Sequence, residues 1–264
     1  MFGVAADVTY PVRMSPREHP LRRVPLRVRA LLATVFAAIV VAALLPGWMN
    51  PPTTVVAGDG TQVELAPEPL ELPEEPTVLI FGDSWTYGSA AATPEAGYAY
   101  VVADLAGWAT IVDGVRGSGY LKPGIDGPDF GTRIAALDPA ADPDLVIIQG
   151  SINDRRLPAA GYADAVNAAW DQLAAVYPAA RVVVLGPAPQ VLPVERTTAR
   201  IDSDLTDLAA ERGWWYISPL REGWITQDNY YAVIDTGVGR DHPSTAGHRY
   251  LAGRLAEAVS ALTR

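Results

Sequence analysis

Beyond residue 76 the chain alternates short, continuous, β-branched runs with longer amphipathic stretches, and this alternation restricts its fold more tightly than any other feature. The runs are residues 78–81, 110–112, 145–148, 182–185 and 214–217. They are too short for helices and lack the polar alternation of a strand with one wet face. They therefore read as strands buried on both sides. Helical spacing occupies 96–106, 162–176 and 196–212, and a last helix over 245–262 closes the chain. Ser244 is placed to cap that helix by accepting from the orphan N–H groups of its first turn. This order predicts an α/β fold, a parallel sheet with helices on both faces and right-handed crossovers. Ligands bind such sheets beyond the C-terminal ends of the strands.

Three of those ends carry glycine and polar residues. The first run leads into Gly82-Asp83-Ser84, in TVLIFGDSWTYG. Gly117-Ser118-Gly119 follows the second run, and Gly150-Ser151-Ile152-Asn153-Asp154 follows the third. Each can be an ordinary turn. Ser84 can also be a nucleophile, provided that a base takes its proton and donors hold an oxyanion. The base is most often histidine. His242 lies in GRDHPSTAGHRYLA, where Pro243 biases it toward an extended conformation that aims a loop side chain outward. His248 falls one turn into the last helix and reads as a packing or surface residue. Candidate oxyanion donors are the Ser84 N–H, a glycine N–H of the second loop and the Asn153 amide.

These blocks resemble the SGNH hydrolases, also called GDSL esterases/lipases. The resemblance rests on GDSW at 82–85, VRGSGYL at 115–121, GSIND at 150–154 and DHPSTAGH at 241–248, and it covers roughly 77–264. It implies a three-layer α/β/α flavodoxin-like sandwich with a mainly five-stranded parallel sheet. It further implies Ser84 as nucleophile, His242 as general base, and an oxyanion hole of Ser84, Gly117 and Asn153, with Gly119 a rival for the glycine. No metal or organic cofactor is implied. One departure stands out: the family places its triad acid three residues before the histidine, and here that position is Gly239. Asp241 is the first candidate for the acid, although neighbouring side chains in an extended segment point opposite ways. Asp235, Asp228 or a backbone carbonyl that leaves a Ser-His dyad are the alternatives. Trp85, Tyr87 and Tyr120 are candidates to line the substrate pocket, with simple packing as the other reading.

The N-terminal part has a different character. Residues 1–29 hold six arginines against Asp7 and Glu18, whereas the whole chain carries −10. Residues 30–49, ALLATVFAAIVVAALLPGWM, contain no charge. Twenty apolar residues span a bilayer core, and the basic flank belongs on the cytoplasmic side. The expectation is a retained single-pass transmembrane helix, with a cleaved signal as the alternative. Residues 50–76 are rich in proline and acid and read as an extended linker to a domain over 77–264. The acidic balance argues against nucleic acid as a partner, and the absence of cysteine removes thiolate chemistry. The expected function is a membrane-tethered, extracytoplasmic serine esterase acting on carboxylic esters such as O-acyl groups of cell-envelope glycans or lipids. An O-acyltransferase using the same residues, and a non-catalytic envelope binding module, are the alternatives.

Overall fold

A computed structural model describes residues 68–264. The basic leader, the expected membrane helix at 30–49 and most of the linker lie outside the described residues. Among the described residues no helix is long and apolar enough to cross a membrane.

Five strands form one parallel sheet: β1 (Thr77–Gly82), β2 (Ala109–Gly114), β3 (Leu145–Gln149), β4 (Arg181–Leu185) and β5 (Trp215–Ile217). Their spatial order is β2-β1-β3-β4-β5. The order reverses between β1 and β3, which pair in parallel from Val78 opposite Leu145 to Phe81 opposite Ile148. Such a reversal opens a crevice at the C-terminal edge, because the connections leave the two strands in opposite directions.

Alternate side chains of each strand enter separate cores. Val78 and Ile80 of β1, with Leu145 and Ile147 of β3, face helices α2 (Tyr98–Ala106) and α7 (Thr245–Leu262) through Val102, Leu251 and Leu255. Leu79 and Phe81, with Val146 and Ile148, face α3 (Phe130–Ile134), α4 (Tyr162–Val176) and α5 (Arg196–Glu211) through Phe130, Trp170 and Ile201. The three layers are those expected from the alternation of elements. β2 departs from the expected burial: it is an edge strand, and Ile111 on it is exposed.

Two short helices and a small ribbon complete the C-terminal edge of the sheet. Helix α1 (Ser84–Tyr87) starts directly after β1, and α6 (Tyr230–Val233) leads into β6 (Ile234–Asp235). β6 pairs antiparallel with β7 (His242–Pro243). Two-residue strands have no periodicity to read, so this ribbon was not foreseen. Ser244 does cap α7, its Oγ accepting from the Gly247 N–H at 3.0 Å.

The folded unit begins before residue 77. Leu70 is buried in the α2/α7 core, its N–H donates to the Leu262 carbonyl at 2.8 Å, and Trp215 Nε1 donates to the Glu68 carbonyl at 3.1 Å. The end of the expected linker is thus a strap that ties the entry of the domain to its last helix. Truncating Leu70 to Ala leaves a cavity beneath that strap. We expect a loss of about 2–5 kcal/mol in chemical denaturation; an unchanged midpoint would show that the strap adds nothing to stability.

Candidate active site

Ser84 sits at the first position of α1, where the chain turns sharply out of β1. Asp83 caps this helix: its Oδ1 accepts from the Trp85 N–H at 2.9 Å. The first turn of a helix leaves its N–H groups without intrahelical acceptors, and among the described residues the Ser84 N–H has no acceptor. Asp83 is fully buried, and burial raises its pKa to about 6 against the opposing pull of the Trp85 N–H and of Arg133.

His242 approaches from the β6–β7 ribbon. Its Nε2 lies 2.8 Å from Ser84 Oγ. Its Nδ1 lies 2.9 Å from the carbonyl oxygen of Gly239 and 3.1 Å from that of Arg240. A carbonyl only accepts, so the ring proton resides on Nδ1 and the Nε2 lone pair faces the serine. That is the tautomer a general base requires.

Asp241 is not the partner of the ring. Arg240 and Asp241 adopt successive left-handed conformations, with φ of 50° and 61°. This bend swings the Gly239 and Arg240 carbonyls under the imidazole, while the Asp241 side chain lines an adjoining groove. Asp235 is occupied elsewhere, its Oδ1 accepting from the Gly237 N–H. The family position of the acid is sterically closed: a Cβ on Gly239 would come within 2.7 Å of Asp235 Cβ and 2.8 Å of Ala90 Cβ.

The second loop brings Gly117 to the site. Gly117 adopts φ +75°, a conformation that disfavours other residues, and it lines the groove with Ser84, Asn153 and His242. Gly119 does not compete. Its N–H donates to the Lys122 carbonyl, and it packs against the buried carboxylate of Asp154. Asn153 Nδ2 donates to the Ser118 carbonyl at 2.9 Å and, more weakly, to Asp83 Oδ2 at 3.3 Å. The groove around these residues is open, about 470 Å³ in volume.

Two of the expected lining residues belong to the core instead. Tyr120 is buried among Phe130, Tyr162 and Trp170, and its hydroxyl accepts from Trp170 Nε1 at 2.8 Å. Trp85 is buried beside Tyr98 and Trp224, around a small pocket that Ser84 does not line. Aromatic residues carry large apolar area, and here both rings are drawn under the site. Tyr87 is half-buried beneath the Arg116 guanidinium. Ile125 and Val238, which the sequence did not single out, line the groove at its mouth and are 78% and 98% exposed.

Supporting residues also escaped the sequence reading. Arg133 is buried, donating to the Gly82 carbonyl at 2.9 Å, to Ser118 Oγ at 3.2 Å, and to the carbonyl and carboxylate of Asp113. Burial pulls its pKa below the ordinary arginine value, and Asp113 opposes that pull. Asp154 accepts from the N–H groups of Tyr120 and Leu121 and so laces the second loop to the third. His248 is buried in α7, its Nδ1 accepting from the Tyr98 N–H and its Nε2 facing the Ser89 carbonyl. Burial lowers its pKa to about 4, which keeps it neutral and structural. Among the described residues no group of three histidines or acids converges as a metal site would require.

The model of the GDSL-like Lipase/Acylhydrolase family matches residues 80–250, a span that contains every residue of this site. The chain belongs to that family. As a GDSL-family protein it is an ester hydrolase. A GDSL lipase of Mycobacterium tuberculosis is 29% identical over 220 residues, covering 78% of this chain and 90% of that protein. Among solved structures, the Mycobacterium smegmatis aryl esterase superposes with a TM-score of 0.51 at 22% identity, covering 70% of this chain and 99% of that one. A carbohydrate acetylesterase family member from Sinorhizobium meliloti gives 0.54 at 17% identity, covering 71% and 98%. At such identities the structures speak for the GDSL fold alone.

The ring partner supplies a sharp expectation. Loss of a true triad acid costs about 10⁴-fold in kcat. With carbonyls holding Nδ1, Asp241→Asn should change kcat on a soluble ester by less than about threefold, since it removes no bond to the ring. A fall of several orders of magnitude in steady-state assays would return Asp241 to the acid's place.

Proposed function

We propose that the chain is a serine esterase in which Ser84 and His242 act as a dyad and water accepts the acyl group. The carrying observation is the 2.8 Å approach of His242 Nε2 to Ser84 Oγ, with the Nδ1 proton held on carbonyl oxygens. In the reaction, Ser84 Oγ attacks the acyl carbon as its proton passes to His242 Nε2. The carbonyl oxygen becomes an oxyanion facing the N–H groups of Ser84 and Gly117 and the Asn153 amide. Asn153 meets it by giving up its longer bond, that to Asp83. Collapse breaks the ester C–O bond, and the alcohol leaves with the proton from Nε2. Water then repeats the sequence on the acyl-serine, releasing the acid and restoring Ser84. Donors aimed at the developing charge typically contribute about 10²–10³ each in rate.

The natural setting we propose is the cell envelope. Residues 30–49 would anchor the chain, with the arginine-rich leader cytoplasmic and the esterase domain outside. O-acyl groups on envelope glycans or lipids would then be within reach. The carbohydrate acetylesterase among the fold neighbours supports the glycan reading, and the apolar mouth formed by Ile125 and Val238 supports acyl chains beyond acetate.

The catalytic proposal is tested on p-nitrophenyl acetate, butyrate and octanoate. A domain starting at residue 68 should turn over at least the shorter esters, and Ser84→Ala should lose about 10³-fold or more. Retained turnover in Ser84→Ala, or fluorophosphonate labelling of another residue, would refute the assignment. For the location, full-length chain should sediment with membranes and resist high-salt extraction. Removal of residues 30–49 should release it; a soluble full-length chain would rule out the anchor.

A further inference from the structure

The groove does not stop at the catalytic residues. It continues past Asn153 into a second depression of about 390 Å³ lined by Arg155, Arg156, Glu195, Arg240 and Asp241. Lys122, Asn153, Gln190 and Arg240 line both parts, so a bound molecule can occupy the two at once. The charge of this extension is unusual for this chain. The whole sequence carries −10 and contains a single lysine, Lys122, which stands here.

The charges sort into structural and free ones. Arg155 is half-buried and committed: it pairs with Glu195 at 2.6 Å and donates to Gln190 Oε1 and the Ile152 carbonyl. That pair cancels the only acid on the far wall. Lys122 leans on the Gly117 carbonyl at 3.1 Å and, among the described residues, has no carboxylate partner. Among the described residues Arg156 and Arg240 enter no ion pair, and both side chains are exposed. Asp241 is the single acid set against these three cations. The backbone bend at residues 240–241 thus lies where the two depressions meet, and Arg240 lines both.

Unpaired cations gathered in one concave site raise the local concentration of anions and bind them with charge-assisted hydrogen bonds. We propose that the esters this enzyme prefers carry an anionic group, a carboxylate, sulfonate or phosphate, which docks against Arg156, Arg240 and Lys122 while the ester reaches Ser84. This proposal rests on the esterase reading above.

The test compares charged esters with uncharged isosteres. The acyl-side pair is mono-4-nitrophenyl adipate and its methyl ester. The alcohol-side pair is 4-acetoxybenzenesulfonate and 4-acetoxybenzenesulfonamide. The ratio of kcat/KM, anionic over neutral, is read in wild type, Arg156→Gln and Arg240→Gln. Intrinsic ester reactivity cancels when the ratio is compared between variants. At low salt one of the two pairs should show a ratio that falls about fivefold in each variant, the size of one exposed ion pair. Raising the salt to about 0.5 M should erase the wild-type advantage. The pair that responds tells which side of the ester lies in the extension. A ratio unaffected by both substitutions in both pairs, with neutral esters still hydrolysed, overturns the anion site alone. No turnover of any ester, with Ser84 unlabelled by fluorophosphonate, overturns the esterase reading and this proposal with it.

Discussion

The buried guanidinium of Arg133 bonds at once to the last carbonyl of β1, to both polar groups of Asp113 at the end of β2, and to Ser118 in the loop that follows. Its Cζ lies over Phe81, 4.1 Å from the ring centroid, and the side chain is buried. Taking a cation out of water costs several kcal/mol; the two terminal nitrogens of Arg133 are bonded while its Nε is buried without a partner, and removing one partner of such a pair typically costs about 3–5 kcal/mol. The two strand ends that lead to Ser84 and Gly117 are therefore fixed relative to each other. Asp154 performs the same service between the second loop and the third. A nucleophile and its oxyanion donors need placement to a fraction of an ångström, and loops alone do not supply it.

His242, the base we propose, is positioned by backbone. Two residues in the left-handed region cost of order 1–2 kcal/mol each, a strain borne at the site and offset elsewhere in the fold. The return is a ring whose tautomer is set by two carbonyl oxygens. A carbonyl dipole fixes the proton on Nδ1 but brings no full negative charge to the imidazolium that forms during reaction. In the dyad we propose, the oxyanion donors and the closeness of the groups carry a greater share of the rate enhancement than in a full triad.

The framework and the reacting residues were legible because each has a local signal. Buried strands are continuous β-branched runs, and the polar residues at their ends have no packing reason to be there. Ser84, Asn153, His242 and Gly117 all meet at one groove for that reason. What stayed hidden depends on distant parts of the chain. Arg133, in FGTRIAAL, looks like any solvated helix residue until β1 and β2 are placed beneath it. Tyr120 and Trp85 were read by their proximity to the motifs, yet burial decided their place. Leu70 stands among prolines and glutamates, and only the docked α7 reveals its pocket. The partner of His242 lay open between an acid and a carbonyl, and a backbone bend that no side-chain pattern announces decided it.

The ribbon that carries His242 is welded to the start of α7, and α7 in turn packs on α2 near the beginning of the domain. Ser84 and His242, the nucleophile and base we propose, are 158 residues apart in sequence. While the chain is still being synthesised, Ser84 has no histidine beside it. Hydrolytic power arrives only when the final helix has emerged and docked. The order of the polypeptide thus delays assembly of the proposed dyad until the fold is nearly complete.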